Sequence, residues 1–229
     1  MLVRSDGNVI EKNHFANNRA TCRNPGYKLH SNSIVIYEGS NNVIRYNLSE
    51  GDRVFSELGS SDAETASGNV YERNVFITDQ ATSRFSTTRG PFGPVLNTQV
   101  RHNTMFQRGS GSEGVICGGD CSRDILELRN NIILAQEKAV FADGPIKLGA
   151  NVVWNSSGDP FVQIKTISDV ANSPFIIANP SFVNAREGNV RLTATSPALN
   201  SADGSGTTVR DIDGRSVPAT RRDIGAFER

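Results

Sequence analysis

A strand-plus-asparagine unit recurring at a spacing near 28 residues, the lack of any sustained helical period, and a C-terminal stretch dense in turn signals predict an all-β fold. The predicted architecture is a single-stranded parallel β-helix solenoid of about six to seven coils with an irregular C-terminal cap. The unit reads NVIEKNHF at 8–15, NVIRYNLS at 42–49, NVYERNVF at 69–76 and TQVRHNTM at 98–105, then LELRNNII at 126–133 and, more weakly, NVVWNSS at 151–157. Its asparagines are Asn13, Asn47, Asn74, Asn103, Asn131 and Asn155, spaced 34, 27, 29, 28 and 24 residues apart. A leucine-rich repeat would hold leucines in a fixed frame, whereas the apolar positions here are mixed Val, Ile, Tyr and Phe, which favour strands.

The asparagine has a physical role in such a coil. Two strands meet at a sharp bend, and Asn tolerates the left-handed backbone region better than other non-glycine residues. With rungs stacked about 4.8 Å apart, the carboxamides can hydrogen-bond along the column. The alternation around it assigns faces. Three residues before the asparagine stand Ile10, Ile44, Tyr71, Val100, Leu128 and Val152, and two after it Phe15, Ser49, Phe76, Met105, Ile133 and Ser157, all expected inside. Two before it stand Glu11, Arg45, Glu72, Arg101, Arg129 and Val153, expected outside, where the first four alternate in charge as a surface ladder.

Further strands are predicted upstream of the units, at Ile34–Tyr37, Arg53–Glu57, Val115–Cys117, Ala139–Ala142 and Phe161–Ile164. Segments 16–32, 59–67 and 77–94 are longer and polar, and are expected to leave the coil as loops walling a groove. The coils are assigned to residues 1–173 and a closing segment of the same domain to 174–229, with turns at Asn179-Pro180, Asp203-Gly204 and Asp213-Gly214.

Composition narrows the function classes. Lys+Arg and Asp+Glu are both 24, so no overall charge favours a nucleic acid or an anionic membrane. Apolar runs such as Ile132–Ala135 are far shorter than the roughly 20 residues of a membrane span. Residues 1–20 lack the apolar core of a signal peptide, which predicts a removed signal or a cytoplasmic chain. Three cysteines, Cys22, Cys117 and Cys121, leave at least one thiol unpaired within a monomer. Gly118 and Gly119 give the chain room to turn for a Cys117–Cys121 bridge, and no second Cys/His pair supports a structural zinc site.

The repeat over 7–157 resembles the pectate-lyase-like right-handed parallel β-helix proteins with PbH1-type repeats. The tail strengthens the resemblance: Asn179-Pro-Ser-Phe-Val, Gly188-Asn-Val-Arg-Leu, Ser196-Pro-Ala-Leu-Asn, Asp211-Ile-Asp-Gly-Arg and Asp223-Ile-Gly-Ala-Phe-Glu228 are similar to the closing segment of many secreted bacterial β-helix proteins. Asn200 stands where such tails usually carry Asp. The resemblance implies a secreted or cell-surface, carbohydrate-active protein, with polysaccharide as partner and calcium as a cofactor in the lyases. It also leads one to expect a capping helix before the first coil, which this sequence lacks. Either the chain lacks the front of a longer ancestor, or another subunit covers the first coil in a homo-oligomer.

Two sets of residues are candidates for chemistry. Glu38, Glu57, Asp120 and Asp143 end the upstream strands and, in register, would form a carboxylate column able to hold calcium or to supply a hydrolytic pair from Glu57 and Asp120. The alternative is acids that bond turn amides. The residues just before the asparagines, Lys12, Tyr46, Arg73, His102, Asn130 and Trp154, interleave basic and aromatic groups suited to sugar rings and their carboxylates. Among them Arg73 and His102 are candidate bases for β-elimination, while Lys12, Arg45, Tyr46, Arg101 and Trp154 are candidate substrate-binding residues. An ordinary exposed surface ladder is the alternative. Three function classes follow: a polysaccharide lyase or glycoside hydrolase acting on acidic polysaccharide, a non-catalytic carbohydrate-binding or cell-surface β-helix, and a truncated scaffold that has lost its active half.

Overall fold

The computed structural model describes residues 1–19, 31–60, 65–89, 95–164, 173–204 and 209–229. The first coil is β1 (Leu2–Val3), β2 (Val9–Glu11) and β3 (His14–Ala16), and the second β4 (Asn32–Tyr37), β5 (Val43–Arg45) and β6 (Leu48–Glu50). The third is β7 (Val54–Gly59), β8 (Val70–Glu72) and β9 (Val75–Thr78), and the fourth β10 (Arg84–Arg89), β11 (Thr98–Arg101) and β12 (Thr104–Gln107). The fifth is β13 (Glu113–Gly118), β14 (Leu126–Arg129) and β15 (Ile132–Leu134), and the sixth β16 (Lys138–Ala142), β17 (Lys147–Leu148) and β18 (Asn151–Trp154). β19 (Phe161–Ile164) and β20 (Phe175–Ile177) begin a seventh.

Each coil places one strand in each of three parallel sheets. The first sheet runs β1-β4-β7-β10-β13-β16-β19, the second β2-β5-β8-β11-β14-β17 and the third β3-β6-β9-β12-β15-β18-β20. The fold is therefore a parallel β-helix solenoid. β10 is a correction to the loop expected over 77–94. Its polar sequence RFSTTR hides a strand whose inward residues, Phe85 and the small polar Ser86 and Thr88, are all buried. Inside, register aligns Phe55 beside Phe85, whose rings stack with centroids 5.1 Å apart. Phe76 and Tyr71 pack around them.

The asparagine ladder is present, with two corrections. Each member from Asn13 to Asn103 gives its backbone N–H and its Nδ2 to the Oδ1 of the next, at 2.9–3.1 Å. Asn131, however, gives both to Asn151 at 2.9 Å, not to Asn155. The sixth coil is shortened, so that NVVW forms β18 of the third sheet, with Val152 paired to Ile132, rather than another second-sheet strand. Val153 accordingly points inward and Val152 outward, the reverse of the expectation. Asn155 instead folds back on its own turn, with Nδ2 donating to the Asp159 carbonyl at 2.7 Å.

The second correction concerns the bend. The left-handed residue is the one before each asparagine from Asn13 to Asn131: φ is 57° at Lys12 and Tyr46, 55° at Arg73, 53° at His102 and 58° at Asn130. The asparagine holds the corner by hydrogen bonding, while its predecessor carries the backbone strain. A second, shorter ladder, Asn8–Asn42–Asn69, runs along the entry to the second sheet with side-chain bonds of 2.8 and 3.0 Å.

The C-terminal segment, expected over the far end, packs along a flank. An antiparallel pair, β21 (Phe182–Asn184) with β22 (Asn189–Leu192), starts it. Val190, Ala226 and Phe227 then cover Val75, Phe106 and Leu134, and Leu192, Ala198 and Ile224 cover Ile132 and Val152. The outer face of the third sheet is thus a second core, which removes its apolar strip from water.

Candidate functional site

The backbone sends the residue before each ladder asparagine outward, but the C-terminal segment decides what it meets. At the third coil Arg73 is fully buried, and its Nη2 lies 2.8 Å from Glu228 Oε1. At the fourth, His102 is 1% exposed, and its Nε2 lies 3.3 Å from Asn130 Nδ2. Burial depresses the His102 pKa well below its ordinary value, with Arg73, Arg101 and Arg222 adding to the effect. At the fifth, Asn130 exchanges hydrogen bonds with the Asp203 backbone at 2.8 and 2.9 Å. Arg73 and His102 were expected as bases on an open column. A base must reach the proton it removes, and neither side chain meets solvent.

Trp154 is not in that column. It stands on β18, partly buried in the cluster beneath the C-terminal segment, and the Asn131–Asn151 bonds leave Ala150 as the residue before the ladder asparagine of this coil. Arg101 joins the charged face of the second sheet, where its Nε lies 3.3 Å from Glu72. Arg45 pairs with Glu11 at 2.7 Å in the same face, so opposite charges meet at these rungs as expected, although Glu72 is buried and not on the surface.

The remaining candidates do come together. Lys12, Arg45 and Tyr46 line a crevice between the first two coils and the C-terminal segment. One cavity of about 360 Å³ is bounded by Lys12, His14, Tyr46 and Glu50 on the solenoid side and by Arg191, Asp213 and Phe227 opposite. A second, about 290 Å³, adjoins it across Lys12, Tyr46 and Ile212, and adds Glu11, Arg45 and Arg210. Both approach or reach the lower end of the range for small-molecule sites. Tyr46 forms the partition, its Oη donating to the Arg210 carbonyl at 3.2 Å. Burial raises its pKa, and the Glu72 charge adds to this.

Most charges in the crevice are compensated. His14 lies 2.8 Å from Glu50, and Arg191 grips Asp213 through two bonds of 2.6 and 2.7 Å. Lys12 and Arg210 have no ion-pair partner among the described residues, although the lining of the two cavities as a whole balances four cations, Lys12, Arg45, Arg191 and Arg210, against four carboxylates, Glu11, Glu50, Asp211 and Asp213. Two carboxylates, Glu50 and Asp213, face one cavity from opposite walls. His14, Glu50, Arg191 and Asp213 were missed as site residues, since only the folded C-terminal segment brings them together.

The expected carboxylate column does not form. Register aligns Ile36, Leu58, Cys117 and Ala142 across the first sheet. Glu38 lies two residues after its aligned position, Glu57 one before, Asp120 three after and Asp143 one after, so no two share a rung position. Glu57 accepts from Asn32 Nδ2 at 2.7 Å, while Asp143 accepts the N–H groups of Gly119 and Cys121 at 2.6 and 2.9 Å. Asp143 thus takes the turn-amide role of the alternative reading, whereas Glu57 bonds a side-chain carboxamide on the neighbouring strand. Among the described residues no cluster of three or more His, Cys, Asp or Glu suits a metal ion. Cys117 and Cys121 are bridged, with Cα atoms 5.8 Å apart, whereas Cys22 and His30 fall outside the described residues. No helix among the described residues is long and apolar enough to cross a membrane. Neither a family model nor a curated protein matches the chain.

Proposed function

We propose that this protein is a carbohydrate-binding β-helix of the pectate-lyase-like kind, and that it holds an acidic saccharide in the crevice formed by the first two coils and the C-terminal segment. The observation that carries the reading is Lys12 beside Tyr46 at the junction of two adjoining cavities. An aromatic edge and an ammonium group without an ion-pair partner among the described residues suit a sugar ring bearing a carboxylate. A secreted or cell-surface location is part of the proposal, supported by the Cys117–Cys121 bridge. Binding takes precedence over elimination because the candidate bases Arg73 and His102 are enclosed.

Isothermal calorimetry against oligogalacturonates, alginate and chondroitin fragments, and neutral glycans tests this. Binding of the acidic series, weakened about tenfold or more by Lys12→Met, is expected, a loss of about 1.4 kcal/mol. Equal binding of neutral glycans, or none of any, sinks the reading.

A hydrolytic reading has one observation in its favour, the opposed pair Glu50 and Asp213 with His14 bonded to Glu50. It requires release of reducing ends that stops in Glu50→Gln and in Asp213→Asn. Binding without product removes it.

A further inference from the structure

The two adjoining cavities offer a ligand different chemistry. Lys12, Tyr46 and Ile212 line both, but the second adds Arg45 and Arg210 with Glu11 and Asp211, and the first adds Arg191 with Glu50 and Asp213. In the second cavity the carboxylates are engaged within the protein. Glu11 is paired with Arg45 at 2.7 Å. Asp211 is 2% exposed, its Oδ1 accepting the Arg215 N–H at 2.7 Å and its Oδ2 the Glu228 N–H at 2.9 Å. Arg210, by contrast, bonds a neutral group, with Nη1 donating to the Gly214 carbonyl at 2.8 Å. The charges left to meet a ligand there are those of Lys12 and Arg210.

The first cavity presents an acceptor instead. Asp213 holds Arg191 through two bonds, and that guanidinium lies over the Phe227 ring, 5.0 Å from its centroid. The Glu50 side chain is 43% exposed, and its Oε2 lies 2.8 Å from His14. Its Oε1 has no hydrogen-bond partner among the described residues. Leu48, Val75, Ile77 and Val190 give this cavity an apolar lining.

The wall on the C-terminal side is firmly tied. Residues 209–217 form a hairpin around the Asp213-Gly214 turn, with the Val217 N–H donating to the Val209 carbonyl and the Asp211 N–H to the Arg215 carbonyl, both at 2.9 Å. The Ile212 N–H donates to the Ala226 carbonyl at 3.2 Å, and Arg215 Nη1 to the Glu228 carbonyl at 3.1 Å. The charged groups are therefore held in place before a ligand arrives, and a ligand must match their pattern.

Resting on the saccharide reading above, we infer that the crevice selects an alternating acidic polysaccharide, in which uronates are separated by neutral sugars. The uronate carboxylate lies between Lys12 and Arg210 in the second cavity. The neutral ring lies on the apolar lining of the first, with a hydroxyl donating to Glu50 Oε1. A polymer of uronates alone would bring its next carboxylate against Glu50, where like charges repel and neither group can donate a hydrogen bond. Glu50 thus discriminates against the wrong polymer, and Arg210 helps to hold the right one.

Calorimetry on the full chain with contrasting probes tests this. An unsulfated chondroitin tetrasaccharide alternates glucuronate with N-acetylgalactosamine, whereas tetragalacturonate carries a carboxylate on every ring. The parent is expected to bind the alternating probe more tightly by about tenfold or more. Glu50→Gln keeps the shape, removes the charge and supplies a donor, and is expected to narrow that ratio to about threefold or less by strengthening tetragalacturonate binding. Arg210→Met is expected to weaken both probes by about tenfold. Equal or tighter binding of tetragalacturonate overturns the inference, as does a ratio that Glu50→Gln leaves unchanged or an Arg210→Met variant that binds like the parent. In each of those outcomes the saccharide reading still stands on its own Lys12→Met test. Binding of neither probe overturns both.

Discussion

Lys12 and Tyr46 on the first two coils, and Arg73, His102 and Asn130 on the next three, occupy one structural position with the same backbone turn, φ 53–58°. The first pair faces a crevice and the other three are sealed. Nothing in the repeat makes this distinction. It comes from where the C-terminal segment lies: tight over the middle coils, and bridged to the first coils by a hairpin. Position in a repeat fixes direction, and a non-repeating partner fixes environment.

The sharpest way to break the contrast is to change the same position on either side of it. Arg73→Met removes one partner of an enclosed ion pair and strands Glu228, so urea denaturation is expected to show a loss of about 3–5 kcal/mol. A loss no greater than that of an exposed substitution would mean the pair is not sealed.

The pH dependence probes the fourth coil. The depressed pKa of His102 means that the less folded state binds its proton more readily, so stability is fully present above about 6.5, the ordinary histidine value, and falls as pH drops toward the folded-state pKa. Glu228 acts in the opposite sense. Desolvation raises its pKa, outweighing Arg73, so the native state binds its proton more readily and its contribution is lost as pH rises through that raised value. His102→Gln is expected to flatten the decline in Tm between pH 7 and 5. An unchanged profile would exonerate the histidine.

The smallest stability effect belongs to the open side. Lys12→Met is expected to stay within about 0.5 kcal/mol of the parent in the same urea experiment, even though it impairs binding. A larger loss would show that Lys12 is structural.

Much of the solenoid was legible because its signals are local and repeated. Ile10, Ile44, Tyr71, Val100 and Leu128 were placed inside from alternation alone, and the ladder was read correctly as far as Asn131. β10 escaped because buried Ser86 and Thr88 do not announce a strand as Val or Ile would. Asn155 is expected in the ladder where Asn151 stands because the shortened sixth coil presents β18 in a sequence that mimics the unit. The site was less legible. Lys12, Arg45 and Tyr46 line a crevice walled by the C-terminal segment and not by the expected loops, and the acidic column failed because strand-end residues carry no register information by themselves. The partners Glu228, Asp213 and Arg191 are non-local, with Arg73 and Glu228 standing 155 residues apart. A pairing made once, across that distance, leaves no periodic trace.

The asparagine corner also sets where this chain can change length. From Ile10 to Asn13, Ile44 to Asn47, Tyr71 to Asn74, Val100 to Asn103, Leu128 to Asn131 and Leu148 to Asn151, the step is always three residues, although whole coils differ in length between one asparagine and the next. That corner behaves as a fixed joint, and the other two corners absorb insertions and deletions. For anyone grafting a foreign loop onto this scaffold, the turns entering the first and second sheets are the permissive sites, and the turn between the second and third is the one to leave alone.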